Sequence, residues 1–394
     1  MSVSYLGRKA RNLLLPRDAA AIANFVDTQS GTDWNTAATQ LEIFRQHGTA
    51  ISQIQQIAYF ANLFPSNLAD MLGCPVRYNQ TQAVYSLVFG GDEPCAQGTD
   101  WTTAQLSLSQ LSSRFPGEHI FYQPQYGVYS AWSSIGRSNY HGLTFTIRQR
   151  LGRRLTMDFN YTFSNSMDDG SSLQAAGVFA PGFIINPFRQ RDMYSASDFD
   201  MRHIANANAI IRLPFGRGEP IFSNVSKLTD LFLGGWQLTG IFRFNSGLPI
   251  SAPLEDRRWT TNWTWESYAT RTANIETCPT RGGALFGCNS AEAYSSFRNA
   301  YPGETGERNV FRLPGYWVLD MGLGKSFDMP WEGHSFQVRW EIFNVTNTQH
   351  MGAVANYVIQ PDPQNATHAP TNWSNFTSIQ GTPRSMQFVL RYSF

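Results

Sequence analysis

The sequence predicts an all-β fold, specifically a segment of an antiparallel transmembrane β-barrel, and three observations support this. Aromatic residues make up 14% of the chain and charged residues only 15%, against roughly 25% charged in soluble domains. Several segments alternate strictly between apolar and polar residues, and the connections between them alternate between short and long. No window reaches the roughly 18 consecutive apolar residues of a transmembrane helix, so a spanning chain must form a barrel.

The alternation is clearest from residue 155 to residue 163, where the odd positions are apolar or aromatic and the even positions are polar. Successive side chains of a strand point to opposite faces, so this pattern suits a wall between lipid and water. Twelve tilted residues rise roughly 30 Å, enough for the apolar band of a barrel. We predict eight strands near residues 1–8, 138–151, 154–165, 201–213, 235–246, 315–327, 335–346 and 384–394.

The connections predict which end of the wall faces outward. Residues 152–153 and 328–334 are short links, whereas 166–200, 247–314 and 347–383 are long. Outer-membrane barrels have short periplasmic turns and long external loops. The last strand then ends in the periplasm at Phe394, although the link 214–234 is longer than a typical periplasmic turn.

Residues 9–137 differ from the rest of the chain. Apolar residues recur there at helical spacing, for example Trp34, Ala37, Ala38, Leu41 and Phe44. We predict that 9–137 is a long extracellular loop insert with short helices, between a barrel strand at 1–8 and the C-terminal strands and loops at 138–394.

A set of short motifs in 138–394 resembles, in the family's order, the C-terminal barrel portion of Oar-like TonB-dependent outer-membrane transporters. The motifs are SNYHGL (138–143), NYTFSNSMDDG (160–170), SDFDMRH (197–203), LPFGRG (213–218), GWQLTG (235–240), SGLP (246–249), RNVFR (308–312) and EIFNVTN (341–347). The resemblance implies a barrel of about twenty-two strands with an N-terminal plug and an energy-coupling segment.

The eight predicted strands would form only part of such a barrel. The start of the chain lacks the apolar stretch of a secretory signal, so we expect it to belong to a longer protein in the bacterial outer membrane. The resemblance implies ligand uptake, contact with the TonB complex only through other, N-terminal parts, and an unknown small-molecule, peptide or glycan ligand. Outer-membrane lipid would surround the wall.

Two other functions remain open at this stage. One is a self-contained small outer-membrane barrel that acts as an adhesin or surface enzyme, and the other is a soluble carbohydrate-binding β protein. We expect no enzymatic activity, because nucleophile-elbow and phosphate-loop motifs are lacking, and no cofactor or metal. A net charge of +1 without a basic stripe argues against nucleic-acid binding.

Charged residues at the polar positions of the strands would face the lumen, where ion pairs are a more common role than ligand binding. These residues are Arg148, Asp158, Arg212, Arg243, Arg339, Glu341 and Arg391. The aspartates of Asp168-Asp169 and of the cluster at 198–203 lack the spacing of an EF-hand loop, and we predict polar networks at the strand rims.

Aromatic residues crowd one external loop at Trp259, Trp263, Trp265 and Tyr268. They predict a ligand-contact loop, although a self-packed loop core explains them equally well. At the C-terminus, Leu390, Tyr392 and Phe394 form an apolar terminal strand that resembles the signal bound by the barrel-assembly machinery through an exposed strand edge.

The four cysteines fall as two local pairs, Cys74 with Cys95 and Cys278 with Cys288. Loop disulfides suit this spacing and an oxidising compartment. A four-cysteine zinc site is less favoured, because the sequence lacks C-x-x-C spacing.

Overall fold

The computed structural model describes the chain except for residues 91–100, 127–128, 172–182, 255–266, 281–282, 356 and 360–367. Within that part of the chain, no helix combines the length and the apolar character needed to cross a membrane. Eight long strands dominate the fold: β1 (Ser2–Asp18), β2 (Ser130–Leu151), β3 (Leu155–Asp168), β4 (His203–Arg212), β5 (Trp236–Asn245), β6 (Tyr316–Asp328), β7 (Ser335–Phe343) and β8 (Ser385–Ser393).

The eight strands form one antiparallel sheet in which every strand pairs with the next one along the chain. A two-residue strand, Ser195–Ala196, adds to the end of β3. Strands β1 and β8 lie at the two edges of the sheet, and no pairing among the described residues joins them. The sheet is therefore an open wall.

The register keeps apolar and polar side chains on separate faces. Phe159 lies opposite Ile147 and Ala207 in the neighbouring strands, whereas Asn160 lies opposite Thr146 and Asn206. Because side chains alternate with period two, one face is apolar along its length. We call the face that carries Phe159 the outward face and the other the inward face.

Aromatic residues lie near both ends of the outward face, as in the aromatic girdles of membrane barrels. The row near the long connections consists of Tyr161, His203, Phe244 and Trp317, and the row near the short connections consists of Trp236, Phe327, Phe336 and Tyr392. The two rows mark the levels at which the wall leaves the apolar layer.

The first strand corrects a predicted boundary: β1 continues to Asp18 instead of ending at residue 8, and β2 begins at Ser130 instead of 138. The register shifts twice between Ala10 and Leu14, where Asn12 has φ 57°. Such a bulge interrupts the alternation while the pairing resumes beyond it. The insert therefore spans 19–129 and not 9–137.

The described residues of the insert form five helices around an aromatic core: α1 (Trp34–Gln46), α2 (Ala58–Leu63), α3 (Leu68–Met71), α4 (Gln80–Phe89) and α5 (Trp101–Leu108). Trp34 lies at its centre, with its ring 6.0 Å from Phe60, 5.9 Å from Trp101 and 4.8 Å from Phe121. Asp33 caps α1 by accepting a hydrogen bond from the backbone N–H of Thr36. A 3-10 turn (Ile51–Gln53) and a short hairpin (Val26–Asp27 with Thr32–Asp33) complete the insert.

The insert enters and leaves the sheet at one point. The buried carboxylate of Asp18 accepts hydrogen bonds from the backbone N–H groups of Ala20 and Tyr129, at 2.9 and 3.0 Å. The N–H of Ala19 also donates to the carbonyl of Tyr129 at 2.7 Å. These bonds hold the two ends of the insert together.

The connection between β4 and β5 contains helix α6 (Lys227–Leu233), which accounts for its unusual length. The β5–β6 and β7–β8 connections pack together around Phe286, Phe297, Phe311 and Trp373, with the rings of Phe286 and Trp373 stacked 5.4 Å apart. Helix α7 (Ser290–Ser295) belongs to this loop layer. Its two-residue strand pairs are Pro249–Ile250 with Phe311–Arg312, Thr270–Arg271 with Phe297–Arg298, and His350–Met351 with Ile379–Gln380.

Candidate functional site at the loop end of the sheet

The rim between β3 and β4 carries the two aspartate motifs found in the sequence. Asp168 is the last residue of β3, and the segment 195–200 folds back against that strand. The backbone N–H of Ser197 donates to the carbonyl of Ser166, and Asp200 Oδ1 accepts from the N–H of Ser166 at 2.7 Å. Asp168 and Asp200 are both buried. Local backbone pairing thus positions their carboxylates.

Arg308 of the β5–β6 connection reaches into this rim. Its Nη1 donates to Asp168 Oδ1 at 2.9 Å and to the carbonyl of Asp168 at 3.0 Å, while Nη2 donates to Asp198 Oδ1 at 2.7 Å and Ser171 Oγ at 2.9 Å. The guanidinium side chain is only 4% exposed. Burial alone would lower the pKa of Arg308, but Asp198 and Asp168 outweigh it and raise the pKa.

The residues that follow Arg308 extend the same network. Asn309 Nδ2 donates to Asp198 Oδ1 and to the carbonyl of Ala196, both at 2.7 Å. Arg312 Nη2 forms an ion pair with Asp200, and its Nη1 donates to the carbonyl of Asp200 at 2.7 Å. We call Asp168, Asp198, Asp200, Arg308 and Arg312 the rim clamp.

A further carboxylate, Asp169, lies next to the rim clamp. Its Oδ2 accepts a hydrogen bond from the backbone N–H of Arg137 at 2.8 Å and lies 3.4 Å from Arg137 Nε. Burial raises the pKa of Asp169 more than the charge and hydrogen bonds of Arg137 lower it.

The chemistry of the rim clamp is that of a structural joint. Each of its carboxylates accepts hydrogen bonds from a guanidinium, and Asp200 also accepts from a backbone N–H. In the described ranges, no group of three or more His, Cys, Asp or Glu residues could hold a metal ion. The clamp holds the β5–β6 connection against the rim of the sheet. The aspartates and the arginines are both present in sequence motifs, but the sequence does not indicate that the two motifs are in contact.

The seven predicted lumen-facing charges all fall on the inward face by register. Arg148 pairs with Asp158 at 3.1 Å across β2 and β3, and Arg339 pairs with Glu341 at 2.7 Å along β7. A cavity of about 530 Å³ lies over this face near the short connections, with Arg212 and Arg339 in its lining. Arg243 of β5 and Arg391 of β8 complete the set.

The predicted ligand-contact loop is described only in part. Trp259, Trp263 and Trp265 lie outside the described residues. Tyr268 is half-buried and packs against the loop-layer core. Burial raises the pKa of its phenol more than a hydrogen bond with Ser251 and the charge of Arg308 lower it. At this position the loop has a packed interior, and the ligand role of Tyr268 and of the three tryptophans stays a prediction.

The cysteines can be placed in part. Cys278 and Cys288 form a disulfide with their Cα atoms 5.7 Å apart. Cys74 is also disulfide-bonded, and Cys95 lies outside the described residues.

The terminal strand presents its apolar side chains outward. Leu390 lies opposite Val338, and Tyr392 lies opposite Phe336 and shares a hydrogen bond of 2.7 Å with His334 Nδ1. Phe394 is 91% exposed at the end of the edge strand. An apolar edge strand of this kind can accept another strand by main-chain pairing.

Comparison with known proteins agrees with the antiparallel sheet and its apolar outward face. Residues 1–387 match the outer membrane beta barrel domain family, and the chain belongs to that family. The chain is therefore an integral part of the bacterial outer membrane, as predicted.

Among solved structures, the chain is similar to the closed form of the ferric-catecholate import receptor Fiu from E. coli K12, at 10% identity and a TM-score of 0.28. The similarity covers 67% of this chain and 22% of that receptor, so the chain spans about a fifth of its length. No curated protein matches the sequence.

Proposed function

We propose that this chain is a stretch of the barrel wall of a TonB-dependent outer-membrane transporter or receptor, where it takes part in ligand binding and uptake. The observation that carries the proposal is the open eight-stranded sheet with a packed loop layer at the end that carries the long connections. The motifs shared with Oar-like transporters support it. Further strands of the same barrel would cover the edges at β1 and β8.

The open edges argue against the self-contained small barrel. A closed barrel leaves no strand edge, whereas β1 and β8 each pair on one side only among the described residues. Membership of an outer-membrane family likewise opposes the soluble carbohydrate-binding protein.

The loop end is the side on which we place ligand capture. Binding loops work when a rigid scaffold holds them, and the rim clamp supplies such a scaffold for the β5–β6 connection. The ligand would be a small molecule, peptide or glycan that then passes along the polar inward face. We also propose a non-enzymatic role, since each carboxylate of the clamp pairs with an arginine.

Uptake can be tested in cells that carry the full-length protein. Mass spectrometry of a defined medium would identify compounds that these cells deplete and that cells without the gene leave behind. We expect inactivation of the TonB complex, or deletion of 247–314, to abolish that depletion, whereas a tag inserted in 329–334 should leave it intact. Depletion that persists without TonB would contradict the proposal.

Closure can be tested by disulfide trapping. Cysteines at Trp340 and Phe388 lie on directly opposite positions of β7 and β8 and should cross-link readily. Cysteines at Tyr5 of β1 and Phe388 of β8 should not, because further strands separate the two edges. Efficient cross-linking of β1 to β8 within one chain would favour the small barrel instead.

A further inference from the structure

Helix α6 lies at the end of the sheet that carries the short connections. It begins after Ser226, whose Oγ accepts a hydrogen bond from the N–H of Thr229, and it ends at Leu233, before Gly234. Seven residues make a helix about 10 Å long. In outer-membrane barrels the short connections face the periplasm, so the helix belongs to the periplasmic end of the sheet.

Two outward-facing side chains hold the helix against the wall. Trp236 and Lys325 lie directly opposite each other in β5 and β6, on the same face as Leu238 and Leu323. Trp236 Nε1 donates to the carbonyl of Phe232 at 2.8 Å. Lys325 Nζ donates to the carbonyl of Asp230 at 3.3 Å. The helix therefore lies outside the wall, next to the lipid-facing band, and not beneath the lumen.

Lys325 would otherwise place a charge on the apolar face. Its side chain is buried, and the ammonium lies 5.1 Å from the ring centre of Phe327 and 5.8 Å from that of Trp236. Charged groups on the lipid face of a barrel are destabilising. The helix carbonyl and the two aromatic rings stabilise the ammonium group. The ammonium group in turn holds the helix against the wall.

The opposite side of the helix is apolar and exposed. Leu228, Leu231 and Phe232 follow the i, i+3, i+4 spacing of one helix face and are 76%, 48% and 72% exposed. The polar Asp230 turns toward the protein, where its Oδ1 accepts from the N–H of Arg217 at 2.6 Å. A helix on a water-exposed surface would show the reverse arrangement.

The preceding turn continues this apolar surface. Ile221 and Phe222 are 41% and 56% exposed, and Phe222 adopts φ 64°, a conformation that L side chains rarely take. The rings of Phe222 and Phe215 lie 6.4 Å apart.

We propose that α6 lies in the boundary between headgroups and acyl chains of the inner leaflet, with Leu228, Leu231 and Phe232 in contact with phospholipid acyl chains. The surface is continuous with the lipid-facing band through Trp236 of the aromatic girdle. Lys227, which precedes Leu228 in the helix, and Arg217, whose backbone N–H binds Asp230, are exposed cations of the kind that interfacial helices carry beside their apolar face. Lipid is thus the partner that suits both the position and the chemistry of this surface.

The test is a depth measurement on the whole membrane-inserted chain. A bimane label on Leu228→Cys or Phe232→Cys would report quenching by phospholipids brominated near the headgroup end of the acyl chain, and quenching by aqueous iodide. Glu332→Cys, exposed in the β6–β7 turn at the same end of the sheet, is the matched control. The chain without an introduced cysteine measures the labelling background, and heat-modifiable gel migration verifies that each variant is assembled.

We expect brominated lipid to quench the labels at 228 and 232 by about twofold or more and iodide to quench them several-fold less than the label at 332. Equal iodide quenching at 228 and 332 would place the helix in water and overturn the proposal. Protection from iodide without quenching by brominated lipid, in bilayers dilute in protein, would also overturn it, because a protein would then cover the surface.

Discussion

Arg308 and Asp168 form a buried ion pair, with Nη1 2.9 Å from Oδ1, that joins the β5–β6 connection to the rim of a strand 140 residues earlier in the chain. Both side chains are less than a tenth exposed. Removing one partner of such a pair destabilises a protein more than replacing both partners with apolar residues, because it leaves a buried charge without its counter-charge.

Replacement of Arg308 by Met should loosen the loop layer. We expect a loss of about 3–5 kcal/mol from the packing of the β5–β6 connection, because Asp168 would remain buried without a guanidinium. The measurement is the rate of cleavage within 247–314 by an external protease on intact outer-membrane vesicles.

Arg189→Met is the matched control for this variant. Arg189 pairs with Asp192 at 3.0 Å, but both side chains are substantially exposed, so its loss should cost about 1 kcal/mol or less. Equal cleavage rates for the two variants would refute a stabilising role for the rim clamp.

The outward and inward faces should respond differently to the same new charge. Ala207 lies opposite Phe159 on the outward face, and the next residue, Asn208, lies opposite Asp158 on the inward face. Ala207→Arg should cost about 2–4 kcal/mol and reduce the assembled fraction in a heat-modifiable gel assay. Asn208→Arg should assemble like the unsubstituted chain, and an opposite ranking would reverse our assignment of the two faces.

The Cys278–Cys288 disulfide should stabilise the loop layer. It closes a ten-residue separation, for which the chain-entropy model predicts about 2–3 kcal/mol. The Cys278→Ser, Cys288→Ser double variant should therefore be cleaved faster within this connection, while cleavage in the insert should be unchanged. If cleavage stayed equally slow, the aromatic packing of Phe286 and Trp373 would be sufficient to hold the connection.

The insert should lose stability in acid because of Asp27. Burial alone would raise the pKa of this carboxyl, but hydrogen bonds from Ser30, Asn62 and Gln29 outweigh it and hold the pKa well below its usual range. A lowered pKa contributes stability that is complete above the unfolded value of about 4 and is lost as pH falls below it.

Hydrogen exchange of the insert helices at pH 5 and pH 3 would test this dependence. We expect lower protection factors, which correct each rate for the intrinsic pH dependence of amide exchange, at the lower pH in the unsubstituted chain. Asp27→Asn should have lower protection factors at both pH values and a smaller difference between them, since the titrating group is gone. An unchanged pH difference in the variant would assign the effect to another carboxyl.

The terminal aromatic residue should matter for assembly more than for the folded wall. Phe394 is 91% exposed and lies beyond the last paired residue, Ser393. Phe394→Ala should therefore lower the assembled yield several-fold in cells while leaving the unfolding midpoint of assembled protein unchanged. Ser393→Ala serves as the control, and equal yields for the two would remove the proposed contact with the barrel-assembly machinery.

The sequence predicted the parts of the fold that depend on period-two alternation. The outward series around Phe159 is visible in the sequence because both faces of that strand have a consistent environment. The second half of β1 was not predicted, because the bulge near Asn12 shifts the register. Such a shift interrupts the alternation of apolar and polar residues without ending the strand.

Long-range partners were beyond the reach of sequence patterns. Two of the sequence motifs form the rim clamp: the motif of Arg308 and Arg312, and the aspartates of 168–200. Neither motif predicts contact with the other. Helix α6 was missed because seven residues are too few for a clear periodic signal and because its outward surface is apolar, the reverse of the pattern expected in water.

The two ends of the insert lie next to each other where it joins the sheet, at Asp18 and Tyr129. The backbone leaves and rejoins the sheet within hydrogen-bonding distance. Strand pairing therefore requires only that the two ends of the insert lie close together. The insert is thus joined to the sheet at one point, and Gln46 of helix α1 accepts one further hydrogen bond from Tyr301 of the loop layer. Another domain with adjacent termini would fit at the same point while every strand keeps its neighbours.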